Sequence, residues 1–353
     1  MIKIGKKLLI AGLCLGLALT SLTGCGTNAK KTVATLDGQK IELGLVNFIL
    51  RFNQAEMNSI YSSMFGADIW KSMGETSKAS IVENIEQMLI LEQHSEEYKV
   101  TVTDDEKAKI AAAAKTFMES NDKDVLKAMT ASQEVVERML TLNLIQSRMR
   151  AAISKDINTE VSDEEAAQKT ITYVMFSTAG TTDAAGSETA MPEADKQKLK
   201  EDAQKVAAEV KAGKDMDAVV KEIDEAKSAS TVSYGKDNGS VDEKLREAAD
   251  KLKDGEVSDV IETDKAYYVV QMKAAFDKEA TESYKPQILL ARENAKFDEV
   301  YGAWKEKVTF TTDEKLLAKL TFEDTFEIKT TEAASEAATT EAVSETTAET
   351  AEK

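Results

Sequence analysis

One histidine, two cysteines and two prolines are spread over 353 residues, and each scarcity removes a class of chemistry. Ser-His-Asp and Cys-His nucleophile systems need an imidazole base. The sole candidate, His94, sits in Leu89-Ile90-Leu91-Glu92-Gln93-His94-Ser95-Glu96-Glu97, a helical stretch where a solvated or capping role is expected. Zinc and copper sites draw on several His or Cys ligands, so neither metal is expected. The many carboxylates leave calcium open as a ligand, but no EF-hand loop is present, and Asp237-Asn238-Gly239 reads as a turn. No glycine-rich phosphate motif is present, and no cofactor is expected. With only Pro192 and Pro286 to interrupt it, and long tracts of Ala, Glu, Lys, Met and Leu, the chain reads as mostly helical.

Positive charge is also short: 45 Lys and Arg stand against 63 Asp and Glu, a net charge of −18. Such a chain repels nucleic acid and anionic lipid headgroups, which excludes nucleic acid as a partner. Three of the cations, Lys3, Lys6 and Lys7, lie together at the start and precede an uncharged run of small and apolar residues from Leu8 to Leu22. The sequence Leu22-Thr23-Gly24-Cys25 follows. This is a secretory signal ending in what resembles a bacterial lipobox. The run is shorter than the ~20 residues that span a bilayer as a helix. The resemblance implies that residues 1–24 are removed, that Cys25 is acylated, and that the mature protein is lipid-anchored on the extracytoplasmic face of the membrane. Loss of the three lysines takes the net charge from −18 to −21. Cys14 leaves with the signal and Cys25 is blocked, so no disulfide is expected despite an oxidising compartment.

After a tether (25–32), Val33-Ala34-Thr35-Leu36-Asp37-Gly38-Gln39-Lys40-Ile41 reads as two short strands around an Asp-Gly turn. Apolar spacing predicts helices over 43–65, 76–98, 103–120, 122–129 and 132–155. Thr103 with Glu106 forms a capping-box start, and Ser162 with Glu165 opens a short helix to Lys169. At Thr170 the pattern changes. Ile171-Thr172-Tyr173-Val174-Met175-Phe176 is β-branched and aromatic, a buried strand. Beyond a Gly/Ser/Thr/Ala loop (177–191) come helices over 193–212, 216–223 and 242–252, and strands over 230–234 and over Ala266-Tyr267-Tyr268-Val269-Val270-Gln271-Met272. A long helix over 284–308 follows. From Thr330 the chain is Thr, Ala, Glu and Ser, too polar to fold. The expected fold class is α+β: a mainly helical domain with an inserted α+β domain. The expected limits are 33–169 and 278–322 for the helical domain, 170–277 for the insert, and 330–353 for a disordered tail.

The order of these parts, and the start Val33 to Ile41, resemble the PrsA/SurA-type extracytoplasmic foldases over roughly residues 22 to 320. The insert of that family is a parvulin, a peptidyl-prolyl isomerase. Glu247-Ala248-Ala249-Asp250-Lys251-Leu252-Lys253-Asp254-Gly255-Glu256-Val257-Ser258 is similar to the parvulin run EAAFALKPGEIS. Ala266-Tyr267-Tyr268-Val269-Val270 is similar to GYHIIKV, and Ile171-Thr172-Tyr173-Val174-Met175 falls where the family has ASHIL. The resemblance implies a histidine in each of the two strands, and this chain has Tyr173 and Tyr268 there. The family's GGDLG is represented loosely by Ser230 to Gly235, with Tyr234 in it. Its proline-pocket Met and Phe correspond to Val241 and Leu245, a Phe of the following helix corresponds to Asp250, and Asp224 lies near a family Cys or Asp.

The resemblance therefore implies catalytic positions Tyr173, Asp224 and Tyr268, substrate-binding positions Tyr234, Val241 and Leu245, and lipid attachment at Cys25. Both tyrosines have an alternative as fillers of the sheet's centre. Isomerisation twists an amide across a barrier of ~20 kcal/mol, and smaller pocket residues hold proline less well, so weak or absent isomerase activity is expected. The leading reading is a chaperone for unfolded or newly secreted polypeptides. Met57, Met64, Met73, Met88, Met118, Met129, Met139 and Met149 crowd its helices, most expected in the core and a minority available as adaptable apolar surface. An active isomerase and a solute-binding lipoprotein are the alternatives.

Overall fold

The computed structural model describes residues 29–65, 69–182, 188–236, 241–320, 325 and 327–329. Residues 1–24, Cys25, the Asp237-Asn238-Gly239 turn and the 330–353 tail lie outside them. The chain divides into two compact units, one running to Ile153 and resuming at Val300, the other spanning Ser154–Glu299. The architecture is α+β, as expected.

In the first unit β1 (Thr32–Leu36) and β2 (Gln39–Glu42) form an antiparallel hairpin. Asp37 (φ 49°) and Gly38 (φ 83°) make its two-residue turn, the positive pair that a type I′ turn requires. Five helices follow: α1 (Leu43–Phe65), α2 (Ile69–Gln93), α3 (Asp104–Ser120), α4 (Lys123–Ala128) and α5 (Gln133–Ser154). The second starts seven residues before the predicted Thr76. Trp70, 4 % exposed, anchors that extra turn, its Nε1 donating to Asn58 Oδ1 at 2.9 Å. Leu36, Phe48, Leu50, Ile90, Ala114, Met129 and Leu142 centre the core. Phe117 meets Phe48 edge to face at 5.8 Å. Met88, Met129, Met139 and Met149 are buried, Met57 and Met118 half-buried, and Met64 is 67 % exposed. The Met73 side chain lies outside the described residues.

The second unit opens with α6 (Asp163–Ala166), capped by Ser162 Oγ accepting from Glu165 N–H at 3.1 Å. It stops before the predicted Lys169, because Gln168 N–H donates to Thr281 Oγ1 and the chain enters a strand at Lys169. That strand, β3 (Lys169–Ser177), is followed by a small hairpin of β4 (Thr181–Thr182) and β5 (Glu188–Thr189), then α7 (Glu193–Lys211) and α8 (Met216–Ile223). Next come β6 (Ser230–Tyr234), α9 (Glu243–Ala249), β7 (Ile261–Glu262) and β8 (Ala266–Ala274). They form one antiparallel sheet of order β6-β3-β8-β7. Alternation sends Val174, Phe176, Tyr267 and Val269 to one face, under α7 and α8. Ile171, Tyr234, Val270 and Met272 go to the other, under Leu245 and Ala249 of α9.

The long helix α10 (Lys278–Lys305) begins six residues before the predicted Tyr284, capped by Asp277 accepting from Ala280 N–H at 3.0 Å, and ends before Val308. Arg292 ties it to the start of its own unit, with Glu165 Oε1 at 2.6 Å and the Asn158 carbonyl at 2.6 Å. After Val300 the chain rejoins the first unit. There β9 (Phe310–Thr312), absent from the sequence reading, pairs with the free edge of β1 to give the order β2-β1-β9, and α11 (Glu314–Leu317) follows. Trp304 stacks on His94 with ring centroids 4.1 Å apart and 4° between planes. The sole histidine is thus a packing partner, with Nδ1 2.8 Å from Glu97 Oε1.

Candidate functional site

The two central strands of the second sheet set the site. Tyr173 on β3 pairs with Val270 of β8, and Met175 pairs with Tyr268, so the period-two alternation puts all four side chains toward the α9 face. The tyrosine rings lie 6.2 Å apart and tilted by 50°. Tyr268 donates its hydroxyl to Met175 Sδ at 3.2 Å. The Tyr173 hydroxyl has no hydrogen bond among the described residues, and Met175 is 47 % exposed beside it. Burial, then the charge of Asp242 and the neighbouring Tyr173, push the Tyr268 phenol above its ordinary value. At neutral pH it is therefore a protonated donor and not a base.

Asp224 caps the C-terminus of α8 and is exposed. Its Oδ1 accepts from Ala226 N–H at 3.0 Å, within its own turn. Among the described residues no hydrogen bond links it to either tyrosine. Val241 and Leu245 are 6 % and 2 % exposed, packed between α9 and the sheet. The structure therefore brings Tyr173 and Tyr268 together, leaves Asp224 at a helix end, and fills the space around Val241 and Leu245 with protein.

Tyr234 ends β6, buried, with its hydroxyl donating to Asp250 Oδ1 at 3.0 Å. Lys169 Nζ reaches the same oxygen at 2.8 Å. Burial works against ionisation of Asp250, but the hydrogen bonds from Lys169 and Tyr234 and the charges of Lys169 and Arg246 outweigh it and hold the carboxyl below its usual range. Burial and the bond to Asp250 push the Tyr234 phenol far up. Beside this network opens a cleft of about 430 Å³ whose lining includes Tyr234, Asp250 and Arg246 but neither Tyr173 nor Tyr268. Sequence reasoning missed the cleft. Its one signal was an aspartate, Asp250, standing where the resemblance calls for phenylalanine. Among the described residues no cluster of His, Cys, Asp and Glu is arranged to hold a metal ion.

Residues 185–284 match the family model for the PPIC-type peptidyl-prolyl isomerase domain. Tyr268 lies within the match and Tyr173 before it. Over 346 residues the chain is 23 % identical to the foldase protein PrsA of Clostridium botulinum strain Langeland, covering 89 % of this chain and 99 % of the relative. The strain Hall protein matches to the same extent. Among solved structures, the foldase protein PrsA from Lactococcus lactis is 17 % identical with a TM-score of 0.32, covering 82 % of this chain and 99 % of that one. A structure described among SurA-like chaperones of Campylobacter jejuni is 11 % identical with a TM-score of 0.28, covering 80 % of this chain and 98 % of that one. The match to the isomerase-domain model and the similarity to the curated PrsA proteins bear out the expected resemblance to PrsA/SurA-type foldases with a parvulin-like domain.

Proposed function

We propose that the protein is a membrane-anchored, extracytoplasmic foldase for secreted polypeptides, whose parvulin-like domain has lost most or all of its isomerase chemistry. The similarity to PrsA foldases along 89 % of the chain supports the foldase reading, and the signal ending in Leu22-Thr23-Gly24-Cys25 supports lipid attachment at Cys25. In this reading residues 25–32 are the tether, 33–169 and 278–322 the chaperone domain, 170–277 the parvulin-like domain, and 330–353 a solubilising acidic tail.

The observation that carries the loss of isomerase chemistry is the neighbouring pair Tyr173 and Tyr268, 6.2 Å apart where the resemblance calls for two histidines. Lowering a barrier of ~20 kcal/mol takes a slot that grips proline and a network that stabilises the twisted amide. Val241 and Leu245 close the slot, Asp224 bonds within its own turn, and one tyrosine hydroxyl is engaged by Met175. The free hydroxyl of Tyr173 favours the second reading, an active isomerase with an altered network.

Two assays on the chain from residue 26 onward decide. We expect suppression of aggregation of a denatured protein at near-stoichiometric ratio, and isomerisation of a proline tetrapeptide at the buffer rate. Failure to suppress removes the foldase reading. Isomerisation above buffer that falls in Asp224→Ala or Tyr268→Phe establishes the second reading. For the anchor, Cys25→Ser is expected to abolish labelling by palmitate and release the protein from the membrane fraction; persistent labelling overturns it.

A further inference from the structure

The cleft beside α9 contains a cation without a hydrogen-bonded counter-group. The Arg246 side chain forms no hydrogen bond and no ion pair among the described residues, and its Nε is buried without an acceptor. A guanidinium carries five N–H donors in a planar fork, and leaving a buried donor unpaired is unfavourable. Asp250 feels the Arg246 charge but makes no hydrogen bond to it, its Oδ1 already taking Tyr234 Oη at 3.0 Å and Lys169 Nζ at 2.8 Å. Tyr234 and Asp250 thus satisfy each other and shape the wall, while the side chains of Arg246 and Lys236 line a cleft of about 430 Å³ without a hydrogen-bonded acid of their own among the described residues.

The surroundings narrow the ligand. Glu164, Glu243 and Glu247 also line the cleft, so a multiply charged anion such as phosphate is repelled. A single planar carboxylate, carried by a neutral or basic molecule, matches the fork in both geometry and charge. The cleft also begins where β6 ends, at Tyr234, Gly235 and Lys236. That strand is at the edge of its sheet, with β3 on one side and no strand on the other among the described residues. A free strand edge offers main-chain hydrogen bonds to an extended peptide.

We infer that this cleft is a carboxylate-recognition subsite for polypeptides: an extended segment lies along β6 and places an Asp or Glu side chain, or a chain terminus, against the Arg246 guanidinium. The inference rests on the foldase reading and adds to it a preference in the second unit, at a place apart from the tyrosine pair.

The test follows binding of unlabelled, N-acetylated hexapeptides to the full-length chain by titration calorimetry. One peptide ends in Val-Thr-Val-Glu with an amidated terminus, its twin carries Gln for Glu, and a third carries Gln with a free terminus. Either carboxylate peptide is expected to bind roughly ten-fold tighter than the neutral twin, the scale of a charge-assisted hydrogen bond. Whichever of the two binds tighter identifies the carboxylate's source. Arg246→Gln, which keeps the stem of the side chain, is expected to erase the preference, and Arg246→Lys to retain a few-fold of it. Inorganic phosphate is expected not to displace the peptide. Equal binding of the carboxylate and neutral peptides, a preference that survives Arg246→Gln, or no binding of any peptide overturns the inference. If aggregation of a denatured protein is still suppressed, the inference fails alone; if suppression is also absent, the foldase reading fails with it.

Discussion

Glu106→Gln is expected to destabilise the first unit at neutral pH and to have almost no effect in strong acid. Glu106 closes the N-terminus of α3: its Oε2 accepts from Thr103 N–H at 2.8 Å, and its own N–H donates to Thr103 Oγ1 at 3.3 Å. From α5, Arg148 Nη1 donates to the same Oε2 at 3.0 Å and Nη2 meets Oε1. The Arg148 hydrogen bond, opposed by burial and aided by the two Thr103 bonds, holds the carboxyl at about 2 against an ordinary 4.5. At full effect that difference corresponds to about 3 kcal/mol. The side chains of Glu106 and Arg148 are 19 % and 30 % exposed, and water screening brings the expected loss to about 1–2 kcal/mol. Because the folded value is depressed, this stability is complete above the unfolded value of 4.5 and disappears as pH falls toward 2. Urea unfolding of the native and Glu106→Gln chains, followed by helical circular dichroism at about pH 7 and about pH 2.5, reads the effect directly. A variant as stable as the native chain at neutral pH would refute the argument, as would a deficit of equal size at both values.

Two further substitutions probe the packing and the turn. Phe117→Ala removes a ring that is 1 % exposed and in contact with Phe48 and Phe52, at centroid distances of 5.8 Å and 6.1 Å. It is expected to cost about 3–5 kcal/mol in urea unfolding, and a loss below about 1 kcal/mol would mean the site collapses around the gap. Gly38→Ala meets no atom within 4 Å but is forced to φ 83°, so it should cost about 1–2 kcal/mol from the backbone alone. Asp37 on the same turn exchanges two hydrogen bonds with Thr309, at 2.9 Å and 2.8 Å. If a thermal melt shows no loss for Gly38→Ala, the turn relaxes around the new side chain and the strain argument fails.

Much of the architecture is local and was therefore legible. The caps at Thr103 and Ser162 need only a side chain and a backbone amide three residues on, and both form where they were read. The Asp37-Gly38 turn and the β3 and β8 strands follow from residue types that favour those backbone regions. Strand β9 was invisible because three residues carry no periodicity; it exists because β1 offers an unpaired edge 276 residues away, where Thr35 and Thr311 now share a hydrogen bond. The early start of α2 has the same origin, since burial of Trp70 overrides the helix-weakening Gly74.

The site divides along the same line. That Tyr173 and Tyr268 occupy two strands could be read from the residues, and the family resemblance gave those positions meaning. Their separation of 6.2 Å, the capture of one hydroxyl by Met175 and the exposure of Asp224 depend on strand register and helix placement. The same holds for the cleft. Lys169, Tyr234, Arg246 and Asp250 are spread over 82 positions and show no spacing motif. Pairing of β3 with β6, and α9 lying over that face, bring them together. Short-range chemistry is written along the chain, whereas which charges find partners and which stay unpaired is settled when distant segments pack, because burial and hydrogen-bond geometry are properties of the assembled neighbourhood.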